Sequence, residues 1–349
     1  MKLYESGDWG YAQFRIPCLL ATSAGELLAL CEARSNPRSD SGRIRILLRG
    51  SRDGGQSWSA PQVVAEDGDN TVGNPCLVEH RPSKTLQLIY NGNDGSVTEA
   101  DILAGHGARR VYRMESRDGG RSWRGPWDIT QQVTRPGWTW YACGPCHGLC
   151  LPGGRLGIPC NHGEASPAPG ARSPYAGHLI LSDDGGATWR VGAVTGPDAN
   201  EATAACLEDG RLYVNLRSYR GHGCRLAAWS GDGGEHLSPL REDLALREPV
   251  CQGSALSWGG ALLFLNPDDD RARRRLTLKF SLNGGLSWTK HSVIRSGPAA
   301  YSDMAVLNGR LFMLFEAGED DPYSWIELTS CPLTAEGLQK KWNLEKNRN

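Results

Sequence analysis

Four cysteines, Cys143, Cys146, Cys150 and Cys160, stand close together with His147 among them. Thiolate and imidazole ligands at short spacing could hold a tetrahedral zinc ion, but the paired CxxC arms that usually supply four converging ligands are not completed here. Thiols buried in a core as small hydrophobic groups account for the same residues, and no metal or other cofactor is expected. The eleven cysteines are odd in number and irregularly spaced in a chain of 349 residues. A chain of that size needs no covalent stapling, which favours reduced thiols and a cytoplasmic location. None of the eight histidines stands in a Gly-x-Ser-x-Gly setting, so a serine hydrolase has no support. Arginine is concentrated at Arg271, Arg273, Arg274 and Arg275, a run that alone reads as a solvated loop, as does Pro37-Arg38-Ser39-Asp40-Ser41. The net charge of −1 gives no long-range pull toward nucleic acid or an anionic membrane, so an anion site would have to be built locally. No apolar run approaches the roughly 18 residues of a membrane span. The segment Met1 to Asp8 has acidic and polar residues where an export signal would need an apolar core.

The elements that must position any such chemistry announce themselves as a repeat. The phrase Ser-x-Asp-Gly-Gly-x-Ser/Thr-Trp occurs at Ser51 to Trp58, Ser116 to Trp123 and Ser182 to Trp189. Ser230 to Leu237 lacks the Trp, and Ser281 to Trp288 has Asn283 in place of the Asp. The steps between successive Asp or Asn positions are 65, 66, 48 and 51 residues, which suits one four-stranded propeller blade each. The phrase explains itself mechanically: the Asp accepts from the backbone of a tight turn, the Gly pair supplies positive φ, and the Trp plugs the hairpin against its neighbour. Turn chemistry that recurs along the chain cannot mark a single catalytic site. Short alternating strands are predicted at Leu86–Tyr90, His178–Leu181, Arg211–Leu216, Leu276–Phe280 and Arg310–Phe315. The tail after Thr334 is the one helix candidate and reads as a terminal extension. No linker divides the chain, so residues 1–349 are expected to form one all-β domain whose first and last segments meet.

Phe14-Arg15-Ile16-Pro17, followed by these boxes, resembles the sialidase (neuraminidase) family with Asp-box repeats, from Arg15 to Glu316 and in the family's order. The resemblance implies a six-bladed β-propeller in which three arginines grip a substrate carboxylate. Arg15 matches the first of them, Arg217 in Asn215-Leu216-Arg217-Ser218 the second, and Arg273 the third within its crowded run. Planar guanidinium forks suit this task better than lysine because they can hold a carboxylate bidentately. Glu316 matches the carboxylate that orients the first arginine. Arg34 resembles a further family arginine that contacts the sugar near its 4-hydroxyl. Tyr301 in Tyr301-Ser302-Asp303 matches the nucleophile, Glu201 its general base, and Asp40 the acid/base that protonates the leaving oxygen and then activates water. A neutral phenol avoids the repulsion that a carboxylate nucleophile would meet beside the substrate's own carboxylate, which is why sialidases depart from the two-carboxylate glycosidase scheme. With a reference pKa near 10, the phenol needs an adjacent base.

The resemblance therefore implies an exo-α-sialidase that releases terminal sialic acid from glycoconjugates with retention. Asn74-Pro75-Cys76 and Gly144-Pro145-Cys146-His147-Gly148 also look like family phrases. Ile158-Pro159-Cys160-Asn161-His162-Gly163 stands where related enzymes recognise the glycerol chain and acyl group, and lacks the tyrosines of the animal cytosolic enzymes. That leaves open a deaminated nonulosonic acid or a Kdo-type sugar, transfer rather than hydrolysis, and a non-catalytic propeller that binds sialylated glycans. The joint presence of Tyr301, Glu201, Asp40 and three separated arginines speaks against the last.

Overall fold

The computed structural model describes residues 1–346, whose regular structure is almost all strand, joined by turns and loops. The backbone pairing sorts into six antiparallel groups of four main strands. Gln13–Ala21, Leu27–Arg34, Ile44–Ser51 and Gln62–Ala65 form the first, and Thr71–His80, Thr85–Asn93, Arg110–Ser116 and Arg124–Asp128 the second. The third contains Trp138–Cys143, Leu156–Glu164, Tyr175–Ser182 and Arg190–Pro197, with the short Leu149–Cys150 beside Leu156. Ala199–Cys206, Leu212–Ser218, Cys224–Ser230 and Arg241–Arg247 make the fourth. The long strand Thr289–Leu307 serves two groups: its first half pairs with Arg274–Ser281 and its second half with Arg310–Ala317. Ser254–Trp258 and Ala261–Pro267 complete the fifth group. In the sixth, Trp325–Pro332 is followed by Lys2–Glu5 from the other end of the chain, so the termini share one sheet. Successive innermost strands touch around a closed circuit that returns from Thr289–Leu307 to Gln13–Ala21. This is a β-propeller.

Burial follows from that packing. Inner strands such as Leu27–Arg34 are buried at every position because sheets cover both of their faces. The outermost strand Arg124–Asp128 is exposed throughout. The box turns behave as their sequence predicts. In the first, Asp53 Oδ1 accepts from Gln56 N at 3.0 Å and Ser57 N at 2.9 Å, Ser57 Oγ donates to Asp53 Oδ2 at 2.5 Å, and Gly54 and Gly55 have φ of 72° and 86°. Trp58, Trp123 and Trp189 each donate from Nε1 to the second glycine's carbonyl at 3.1–3.3 Å and pack on a separate apolar cluster. Trp288 differs, donating instead to Asp243 Oδ2 at 2.8 Å. The predicted strands are all present; four extend beyond their predicted bounds, and Leu212–Ser218 starts one residue later than predicted and runs two further. The tail is a helix, Ala335–Lys346, but it is more than an extension: Leu338 and Trp342 are buried in the cluster around Phe280 and Met313.

The same device recurs at the ends of the inner strands that face the site. The register slips between Arg15 and Cys18, between Gly73 and Cys76, between Ala199 and Ala202, and between Ala299 and Ser302. An extra residue at such a bulge turns a side chain out of the ladder. Arg15, Asn74, Glu201 and Tyr301 all lie at these bulges. Ile16 and Asn74, each preceding a proline, have φ of 59° and 52°. For a β-branched residue such as Ile16 this is a strained conformation, costing on the order of 1–3 kcal/mol, and it is held by the surrounding structure.

Candidate active site

A cavity of about 530 Å³ gathers Arg15, Arg34, Asp40, Glu201, Arg217, Arg273 and Tyr301 on its lining, with Glu316 directly behind Arg15. These residues come from four of the six strand groups, and the other two complete the lining through Asn74, Arg109, Trp140 and Asn161, so the site exists only once the circuit is closed. Glu316 is fully buried and takes three donors: Arg15 Nε at 2.6 Å and Ile16 N at 2.8 Å on Oε1, and Tyr301 N at 3.2 Å on Oε2. It thereby fixes the arginine and the tyrosine backbone together. Arg15 commits only its Nε among the described residues, so both terminal nitrogens are left for an anion. Its guanidinium carbon lies 4.2 Å from the Tyr323 ring centroid and 5.3 Å from that of Tyr301.

Tyr301 donates its hydroxyl proton to Glu201 Oε1 at 2.6 Å and accepts from Arg217 Nη1 at 3.2 Å, while the same Nη1 reaches Glu201 Oε2 at 2.9 Å. Burial, and then the Glu201 charge, push the Tyr301 pKa well above its ordinary value, and Arg217 and Arg273 only partly offset them. The resting phenol is therefore protonated. It can act as a nucleophile only by passing its proton to Glu201 as it attacks. Arg217 Nε is buried without a partner.

Within the crowded run, Arg273 alone lines the cavity. Its Nη1 donates to Tyr323 Oη at 2.9 Å and its Nη2 to the Val250 carbonyl at 3.1 Å. Arg271 and Arg274 face outward onto Asp270 and Asp269, and Arg275 is exposed.

Arg34 is buried and bridges two carboxylates. Its Nη2 meets Glu32 at 2.5 Å and its Nη1 meets Asp40 at 2.6 Å. Asp40 sits on an exposed loop at the cavity rim. Partial desolvation there opposes its charge, but Arg34 and then Arg15 outweigh this and hold its carboxyl below the ordinary value. As placed, Asp40 is an ionised partner of Arg34, so donation of a proton requires it to leave that contact.

These features agree with three comparisons. A family model described as a BNR repeat-like domain matches residues 25–313. A sialidase of Bacteroides fragilis is 30% identical over 312 residues, covering 82% of this chain and 56% of the relative. Sialidase-3 of Bos taurus is 30% identical over 386 residues, covering 90% of this chain and 88% of the relative. The chain belongs to the sialidase family. A solved structure, the Hadza microbial sialidase Hz136, superposes with a TM-score of 0.83 at 26% identity, covering 95% of this chain and 68% of that one. Against the bacterial sialidase, therefore, this chain spans little more than half the length, whereas it spans most of the bovine one.

Several lining residues escaped the sequence reading. Glu32 lies two positions from Arg34 on the same strand, and Tyr219 two positions from Arg217 just past the end of Leu212–Ser218, so the period-two rule alone could have put them on the same face. Tyr323, on the turn after Glu316, and Arg109, just before Arg110–Ser116, carry no motif. Asn161, by contrast, stands in the phrase expected near the sugar's side chains; it lies in the wall of the cavity, fully buried, with both amide atoms unpartnered. Behind it His162 stacks on Trp138 at 3.6 Å, and burial, with Arg135 assisting, brings its pKa down to about 3, so that ring is neutral. The cysteine cluster does not converge on an ion: His147 Nδ1 is bound to Asp303 at 2.7 Å, and among the described residues no group of three or more His, Cys, Asp and Glu could hold a metal. No described helix is long and apolar enough to cross a membrane.

Proposed function

We propose that this chain is an exo-sialidase, a glycoside hydrolase that removes terminal α-ketosidically linked sialic acid from glycoconjugates with retention. It would act as a single six-bladed domain over residues 1–349. The observation that carries the reading is the 2.6 Å contact between Tyr301 Oη and Glu201, with Arg217 joined to both, beneath the rim of arginines. Arg15, Arg217 and Arg273 hold the substrate carboxylate, Arg34 receives a hydroxyl on the neighbouring side, and Glu316 keeps Arg15 in position. The carboxylate lies on the anomeric carbon, so clamping it brings that carbon over Tyr301. Attack by the phenol oxygen sends its proton to Glu201 and forms a covalent glycosyl-tyrosine, while Asp40 protonates the departing oxygen. Asp40 then takes a proton from water, which attacks the anomeric carbon and displaces the Tyr301 phenolate, and Glu201 returns the proton to it.

The anion itself helps Asp40. Binding a carboxylate to Arg15 cancels part of the positive field that depresses the Asp40 pKa, so the acid form becomes accessible when substrate is present. The test is hydrolysis of a 4-methylumbelliferyl α-ketoside, with NMR of the first-formed sugar anomer. The α anomer is expected, and Tyr301→Phe should lower kcat on the order of 10³-fold or more with little change in substrate binding. An unchanged rate in that variant, or initial release of the β anomer, would remove the mechanism.

A further inference from the structure

The lining of the cavity is uneven around the ring. Arg15, Arg217, Arg273 and Tyr301 come from the first, fourth, fifth and sixth strand groups. The second and third groups lie across from the fifth and sixth and face whatever the sugar carries away from its carboxylate. There the cavity is lined by Arg109, Trp140, Ala142, Asn74 and Asn161, with Glu99 beside them. Arg109 is only 6% exposed and makes no ion pair among the described residues. Its Nε donates to the Tyr141 carbonyl at 2.8 Å, its Nη2 to Asn74 Oδ1 at 2.6 Å, and its Nη1 to Asn93 Oδ1. All three acceptors are neutral. A guanidinium has five N–H donors, so two remain. Its carbon lies 4.2 Å from the Trp140 ring centroid, so the cation covers an aromatic face.

We infer that Arg109 is a specificity-determining residue whose guanidinium, laid on Trp140, receives the variable ring substituent of the sugar and selects a hydroxyl there over an acetamido group. This rests on the sialidase reading of the cavity and settles which sugar that reading favours. A hydroxyl accepts one of the free Arg109 protons and can donate to a nearby carboxylate such as Glu99, and it needs no apolar room. An acetamido group brings a methyl that does need it. The large apolar surface on this side is Trp140, and Arg109 occupies it. The substrate class is therefore the deaminated nonulosonic acids. A site that must leave buried polar groups unmatched discriminates more sharply than one that merely gains or loses a methyl contact.

The experiment measures kcat/KM of the full chain on the 4-methylumbelliferyl α-ketosides of N-acetylneuraminic acid and of its deaminated analogue. It uses wild type, Arg109→Leu and Arg109→Lys, with Tyr301→Phe as the blank. Wild type should favour the deaminated sugar by at least about tenfold. Arg109→Leu, which frees Trp140 and removes the cation, should move the ratio toward the acetamido sugar by a similar factor, and Arg109→Lys should keep the wild-type direction. A merely structural role for Arg109 would lower both rates together and leave the ratio unchanged, which overturns the inference. So does a wild-type preference for the acetamido sugar, an outcome that leaves the sialidase reading intact. Cleavage of neither sugar by folded wild type would sink both.

Discussion

The box turns and the cavity both hold carboxylates in nets of short hydrogen bonds, yet they assemble them by opposite means. Asp53 takes its donors from Ser51, Gln56 and Ser57, all within four residues. Glu316 takes its donors from Arg15, Ile16 and Tyr301, and two of these lie 300 residues or more away. The first kind of carboxylate organises a turn as soon as that turn forms. The second lacks two of its three donors until the last strand group has closed on the first. Local nets repeat along the chain and can be lost singly, whereas the long-range net is made once and fails as a whole.

Removing Glu316 should show this most strongly. Glu316→Ala leaves the Arg15 guanidinium buried without its counter-ion, a change expected to cost about 3–5 kcal/mol of stability in denaturant unfolding. Substrate affinity should fall with it, since Arg15 loses its anchor. Asp40 is an intermediate case, because its partner Arg34 is only six residues away but it lines the cavity, where the proposed mechanism makes it the acid. Asp40→Ala should lower kcat on an alkyl-linked sialoside about 10²–10³-fold and cost much less on an aryl ketoside, whose leaving group needs little protonation. Equal losses on the two would show that Asp40 is not the acid. A local net should matter least for activity: Asp118→Ala is expected to lower stability by about 1 kcal/mol while leaving KM unchanged.

That contrast also explains what could be read from the chain. The boxes were legible because turn chemistry is short-range and repeats, and the strands beside them because alternation is local. Arg15, Glu201 and Tyr301 were reached through their resemblance to family phrases, since no spacing rule joins residues so far apart. Within the arginine run, sequence offered four candidates, and Arg273 faces the cavity because it stands just before the strand Arg274–Ser281 while its neighbours turn out onto Asp269 and Asp270. Arg109 and Tyr323 could not be found that way. Each sits in a connection whose path is set by the packing of neighbouring sheets, not by its own residues. The tail was legible as a helix, but its docking through Leu338 and Trp342 depends on a surface that only the folded ring provides.

Acid should separate the two kinds of net again. The hydrogen bonds from Ser122, first its hydroxyl and then its amide, bring the Asp118 pKa down from 3.8 to about 2. A carboxyl depressed in the folded state stabilises it fully above the unfolded pKa and loses that contribution as pH falls through the folded value. The box contribution should thus be constant above about pH 4 and fade between there and about pH 2, and Asp118→Ala should flatten that part of the stability profile. The smallest effect is expected at the variant box. Asn283 already accepts from Ser287 N at 3.0 Å and donates from Nδ2 to Ser287 Oγ at 2.9 Å. Asn283→Asp only reverses that last bond, and should change stability by less than about 0.5 kcal/mol.

The proposed mechanism requires the Tyr301 phenol to become covalently bonded to the sugar at the point where the long-range net converges. The most direct test is to incubate the full chain with a 3-fluorinated glycosyl fluoride of the sugar it cleaves, a reagent that forms the intermediate readily but releases it slowly, and to map the adduct by peptide mass spectrometry. The account predicts one sugar per chain, attached to Tyr301 and absent from Tyr301→Phe. An adduct on Glu201 or Asp40, or turnover of the reagent by Tyr301→Phe at the wild-type rate, would contradict it.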